Sequence, residues 1–184
     1  MQRRYHVNHE HLSTAYKIGV FGSDGDICNS SARDVAYDTG KLLARAGAIV
    51  VTGGGPGVME AASKGAIDAG GITIGILPGD RFNHSNPYCT IKIPTGIGFA
   101  RCQIITNTCH GAILIHGGIG TQAEAGAMYY LRRPVVAIRT TGGTAAEYAG
   151  KTLDSRNLEA ILCADTAEEA VKLVLEEVAR RNVQ

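Results

Sequence analysis

Gly111-Ala112-Ile113-Leu114-Ile115-His116-Gly117-Gly118-Ile119-Gly120-Thr121-Gln122-Ala123-Glu124 is the stretch that decides the fold. Its first five residues form a short, continuously apolar run, which reads as a strand buried on both faces. Glycines follow at once, then a hydroxyl and, one helical turn on, a carboxylate. That is a tight strand-to-helix turn. The same grammar recurs upstream, where Ala48–Thr52 runs into Gly53-Gly54-Gly55-Pro56-Gly57 and a helix from Val58 to Ala69.

Working outward, Ile18–Phe21 is a buried strand opening into Gly22-Ser23. Ser30 to Ala46 places Val35, Thr39, Leu42, Leu43 and Ala46 at helical spacing, with Gly47 as C-cap. Thr73–Leu77 is a strand broken by Pro78-Gly79, Thr90–Ile93 a short strand, and Gly98–Thr108 a helix. A helix over Gln122–Leu131 precedes a strand at Pro134–Ile138. Ile161-Leu162 lies near a last sheet edge, and Thr166 with Glu169 forms a capping box opening a helix to Asn182. Short apolar strands alternating with amphipathic helices predict an α/β fold: a doubly wound, Rossmann-like parallel sheet in three layers, with helices on both faces. Ligands of such sheets bind beyond the carboxyl ends of the strands, where both glycine loops fall.

The 184 residues suffice for one domain, read as 17–184 after a mobile polar tail over 1–16. That tail carries His6, His9 and His11, without a rigid element to make them a metal site. Eighteen Lys+Arg against 17 Asp+Glu give a net charge of +1, and only 5% of residues are aromatic. Neither the basic excess nor the stacking platforms of a nucleic-acid binder are present, so no nucleic-acid partner is expected. No apolar run approaches the ~20 residues that span a bilayer, and the polar start is unlike a signal peptide. A cytoplasmic protein follows. Five scattered cysteines fit reduced thiols there.

The two loops carry the chemistry. Backbone without Cβ atoms can approach an anion closely, and the free N–H groups at a helix start favour negative charge. Neither loop has dinucleotide GxGxxG spacing or the Lys-Ser/Thr of a P-loop. Each loop by itself could be a tight turn that binds nothing, but two on neighbouring strands would face one crevice. Glu124 in a first turn, and Arg101 near a helix start, could each be plain surface charges.

His116 to Glu124 nevertheless resembles the PGGxGTxxE motif of the LONELY GUY (LOG) family of phosphoribohydrolases. Gly53-Gly54-Gly55-Pro56-Gly57-Val58-Met59 is similar to that family's first glycine loop. Arg101, fifteen residues before His116, has the spacing of its active-site arginine. Gly70–Gly79, Asn86-Pro87-Tyr88 and Pro94–Arg101 resemble more closely a sister branch, the molybdenum cofactor carrier proteins. Relatives of this kind have been labelled lysine decarboxylases, yet no lysine here sits in a pyridoxal-phosphate setting.

The resemblance implies Arg101 and Glu124 as catalytic residues and a phosphate or nucleotide site formed by Gly22, Ser23, Gly54, Gly55, Gly57, Met59, Gly117, Gly118, Gly120 and Thr121, with no metal. The implied activity is cleavage of the N-glycosidic bond of a nucleoside 5′-monophosphate, requiring no cofactor, with Arg101 holding Glu124 ionised. The alternative is a non-catalytic carrier of molybdenum cofactor (molybdopterin). Partners are then a small phosphorylated ligand and a second copy of the chain, as a homodimer or dimer of dimers, through helices around Arg101 and Gln122–Leu131. Three departures stand out: His116 replaces the motif proline, Gln122-Ala123 the usual Leu-Glu, and His110 an aspartate. The two histidines are either structural or new ligand contacts.

Overall fold

The computed structural model describes residues 14–156 and 158–182. Seven strands form one sheet: β1 (Lys17–Gly22), β2 (Ile49–Thr52), β3 (Thr73–Leu77), β4 (Ile91–Pro94), β5 (Gly111–Ile115), β6 (Val135–Ile138) and β7 (Leu162–Ala164). Their order is β4-β3-β2-β1-β5-β6-β7, with every neighbouring pair parallel. The register runs Ile18 beside Gly111 and on to Gly22 beside Ile115, so β1 and β5 end together. The chain winds outward in opposite directions from that pair, which makes their carboxyl ends the topological switch point of the sheet.

Among the described residues the faces are covered by α1 (Ser30–Arg45), α2 (Val58–Asp68), α3 (Arg101–Thr108), α4 (Ile119–Tyr130), α5 (Gly143–Tyr148) and α6 (Ala167–Asn182). Alternation along the strands sorts the core into two halves. Val20, Val50, Ile113, Ile115, Val136 and Ile138 point into one, with α1, α2 and α6. Phe21, Val51, Leu114 and Ala137 point into the other, with Ile105 of α3 and Ala125 and Met128 of α4. Strands buried on both faces explain the unbroken apolar runs. The three-layer Rossmann-like expectation therefore holds.

Some local expectations shift. On α1 the buried face is Ala32, Ala36, Thr39, Gly40 and Leu43, while Val35 and Leu42 are half-buried. Small residues win because α1 and α2 pack backbone to backbone: a Cβ on Gly40 would strike the Ala62 carbonyl, and one on Gly65 the Tyr37 carbonyl. The expected helix from Gly98 opens as a 3₁₀ turn over Gly98–Ala100 and becomes α-helical at Arg101. The first 13 residues of the expected tail, with its three histidines, lie outside the described residues. Ala15 and Tyr16, assigned to that tail, pack on the cores, and the Tyr16 carbonyl accepts the Ile49 N–H. Among the described residues no helix is long and apolar enough to cross a membrane.

Candidate functional site

The crest of the sheet between β1 and β5 holds a cleft of about 170 Å³, lined by Gly22, Ser23, Met59, Arg101, Gly118, Gly120, Thr121 and Glu124, together with Asp24, Ile27, Gly53 and Ile119. Arg101 and Glu124, 23 residues apart in sequence, reach it from different helices. Arg101 is the first residue of α3, and its Nη1 donates to the Ile76 carbonyl at the end of β3 at 2.7 Å. Room for that guanidinium comes from Gly53, where a Cβ would collide with Arg101 Nη1 and lie 2.8 Å from Met59 Sδ.

Helix α4 begins at Ile119, three residues earlier than expected, because Gly118 rather than Thr121 is its N-cap. The first-turn N–H groups of a helix have no intrahelical acceptors, so those of Ile119, Gly120 and Thr121 are available at the cleft. Thr121 does not cap the helix. Its hydroxyl, like that of Ser23, is buried and has no hydrogen-bond partner. Two orphaned hydroxyls line one cleft, although buried hydroxyls as a rule find partners.

Glu124 is 8% exposed, one turn further along α4. Burial pushes its carboxyl up to about 7, and Arg101 pulls it only partly back. Arg101 acts in the expected direction, favouring the ionised form, but burial outweighs it: no ion pair joins the two among the described residues, and the guanidinium donates to a backbone carbonyl. A carboxyl in this state exchanges a proton near neutral pH, the range in which general acid–base groups work best.

The first glycine loop behaves differently. Gly54, Gly55 and Gly57 do not line the cleft. Thr52 Oγ1 accepts the Gly54 N–H at 3.1 Å. Asn86 closes over the loop from outside, its N–H donating to the Gly54 carbonyl at 2.7 Å and its Nδ2 to the Gly55 carbonyl at 3.0 Å. Gly57, at φ +74°, faces the Ser23 carbonyl, which accepts the Val58 N–H at 3.0 Å. Beyond Gly53, this loop shapes Ser23 instead of lining the cleft. Gly117 likewise lies behind the second loop, where a Cβ would meet Thr121.

The two histidines also part company. His116 ends β5 at φ 53°, its N–H donating to Thr141 Oγ1 at 2.7 Å, its Nδ1 buried without a partner, and it does not line the cleft. His110 precedes β5 at the opposite end of the sheet, where its Nδ1 accepts the Lys17 N–H at 3.0 Å. Contact between His110 and a ligand at the crest is excluded by that distance along the strand. The five cysteines are free thiols.

Sequence reasoning passed over Asp24 and Ile27. Ile27 is an apolar residue stranded in a polar loop and 54% exposed, and that mismatch was the available signal. Asp24 gave none beyond following Ser23.

Fold and site together define a Rossmann-like α/β protein with a cleft at the switch point of its sheet. The chain belongs to the SLOG cluster4 family, which it matches over residues 15–171, in agreement with the superfamily resemblance carried by its loops. An uncharacterized protein of Archaeoglobus fulgidus is 39% identical over 108 residues, 59% of this chain and 70% of its own. Among solved structures, TM1055 superposes with a TM-score of 0.82 at 35% identity, covering 88% of this chain and 99% of that one. The molybdenum cofactor carrier protein of Chlamydomonas reinhardtii superposes with a TM-score of 0.77 at 30% identity, over 90% and 99%.

Proposed function

We propose that this protein binds a nucleoside 5′-monophosphate in the crest cleft and hydrolyses its N-glycosidic bond. The observation that carries the reading is the pair of buried, partnerless hydroxyls of Ser23 and Thr121 beside the open N-terminus of α4. A phosphate dianion accepts from hydroxyls and N–H groups alike, and a helix start favours its charge. With the 5′-phosphate seated there, Glu124 is the buried acid within the same cleft. In its protonated form it donates a proton to the departing base as the C1′–N bond breaks; water then adds to C1′ and gives up a proton to the Glu124 carboxylate, leaving free base, ribose 5-phosphate and the acid restored. Arg101 offsets part of the charge when Glu124 is ionised. Asp24 is a second, exposed carboxylate at the rim and a candidate acceptor for ribose hydroxyls.

A second reading, a carrier that holds molybdopterin without chemistry, is favoured by the similarity to the Chlamydomonas carrier over nearly its full length and by Gln122-Ala123 at the place of the family's Leu-Glu. The same hydroxyls suit the phosphate of such a pterin. Either way one face of α4, where the half-buried Ala123, Gly126 and Ala127 fall at helical spacing between the exposed Ile119 and Tyr130, together with the exposed Phe99 and Ile104, supports a homodimer.

The deciding experiment incubates the full chain with a panel of nucleoside monophosphates and measures free base. We expect release from at least one, lost by about a hundredfold or more in Glu124→Gln with binding retained. Ser23→Ala combined with Thr121→Val weakens binding in both readings. No base from any substrate, with molybdopterin protected from oxidation by the protein, leaves the carrier reading standing and removes the hydrolase.

A further inference from the structure

The opposite end of the sheet holds a second charged hollow. About 270 Å³ in volume, it is lined by Asn107 and Thr108 at the end of α3, His110 before β5, Arg132 and Arg133 before β6, and Arg181 near the end of α6. No carboxylate lines it. Glu159 and Glu177 line an adjoining hollow that Arg132 and Arg133 also border, and are ion-paired with Arg180 and Arg181. Arg133 Nη1 donates to the Thr106 and Cys109 carbonyls, which satisfies the end of α3 and leaves its charge without a counterion. Among the described residues the Arg132 guanidinium has no ion-pair partner.

Arg132 is also the residue whose backbone needs explaining. Three helices of this chain end by one hydrogen-bond pattern. After α1, Gly47 N–H donates to the Ala44 carbonyl and Ala48 N–H to Leu43. After α2, Gly70 donates to Ile67 and Gly71 to Ala66. After α4, Arg132 donates to Tyr129 and Arg133 to Met128. The pattern demands a left-handed residue, at φ 79° for Gly47 and Gly70 and φ 55° for Arg132. Glycine meets that demand without strain, and arginine does not. A strained arginine where the chain elsewhere uses glycine, with its side chain unpaired beside a hollow, calls for a ligand.

We propose that this basal hollow binds a small phosphate-bearing anion, gripped by Arg132 and Arg133 and seated against the neutral donors of Asn107 and His110. Guanidinium forks match phosphate oxygens in pairs. His110 fits the role because its Nδ1 already accepts the Lys17 N–H, so its remaining proton is on Nε2. The site does not depend on the crest cleft or on what that cleft binds.

Titration calorimetry with pyrophosphate and inorganic phosphate tests this on the full chain. The Ser23→Ala/Thr121→Val background weakens the crest cleft, so the basal share of the binding is the part that the Arg132 substitutions then remove. We expect binding to persist in that background and to fall at least about tenfold on adding Arg132→Gly. Arg132→Asn, which also tolerates left-handed backbone, should behave alike and guards against loosening of the helix end. Without anion, Arg132→Gly should melt at or above the parent temperature, since the strain is relieved. Three results overturn the proposal: no saturable binding at millimolar anion in the background protein, unchanged affinity in both Arg132 variants, or a clearly lower melting temperature for both without ligand, which would make Arg132 a structural brace.

Discussion

The two glycine loops of this chain read alike and do different work. Residues 54–57 lie under Asn86 and against the Ser23 carbonyl, with the Gly54 N–H and the Gly54 and Gly55 carbonyls taken up inside the protein. Residues 117–121 open onto the cleft through Gly118 and Gly120, and a Cβ on Gly120 would meet nothing within 4 Å. Glycine in the first loop exists to let backbone approach backbone; at Gly120 it keeps space free for something else. A glycine-rich turn is a binding loop only where its backbone faces open space instead of other backbone.

Gly57→Ala strikes the first loop hardest. Alanine at φ +74°, with its Cβ 2.5 Å from the Ser23 carbonyl, should cost about 4 kcal/mol in strain and overpacking. Urea denaturation reads that loss directly, and a variant as stable as the parent would break the contrast between the loops.

Next in size is Glu124, behind the second loop. Its folded carboxyl stands at about 7 against an ordinary 4.5, so between those values the folded protein holds a proton that the unfolded chain has released. Stability therefore falls as pH rises through that window, by about 3 kcal/mol in all. Glu124→Gln should flatten this slope in melts run from pH 4 to 8 and be the more stable protein at pH 8. A slope that survives the substitution would place the titrating group elsewhere.

The smallest effect on folding belongs to Gly120→Ala, expected to stay within about 0.5 kcal/mol of the parent in a thermal melt. Its methyl nonetheless intrudes on the cleft, so affinity for a nucleoside monophosphate should drop about tenfold. Loss of stability without loss of affinity would invert the roles assigned to the loops.

Much of this was readable along the chain. Ile113 to Ile115 and Val50-Val51 announced a two-sided sheet because every side chain on such strands is buried. Motif spacing brought Arg101 and Glu124 forward, and both line the cleft. Their mutual state was not legible. The pull of the Ile76 carbonyl on Arg101 depends on β3 ending beside α3, and no local pattern encodes that neighbourhood. Nor does anything near Gly54 in sequence point to Asn86, 32 residues on.

By itself, then, the sequence determined the strand and helix periods, the parallel sheet and the placing of both loops at its carboxyl ends, since these follow from hydrophobic periodicity and the backbone freedom of glycine. The three-dimensional fold settled which loop opens onto the cleft, how far burial lifts the Glu124 proton, and that Arg132 takes a glycine's place beside a basic hollow. Those properties depend on what stands within a few ångströms across the fold, and residues far apart in the chain supply it.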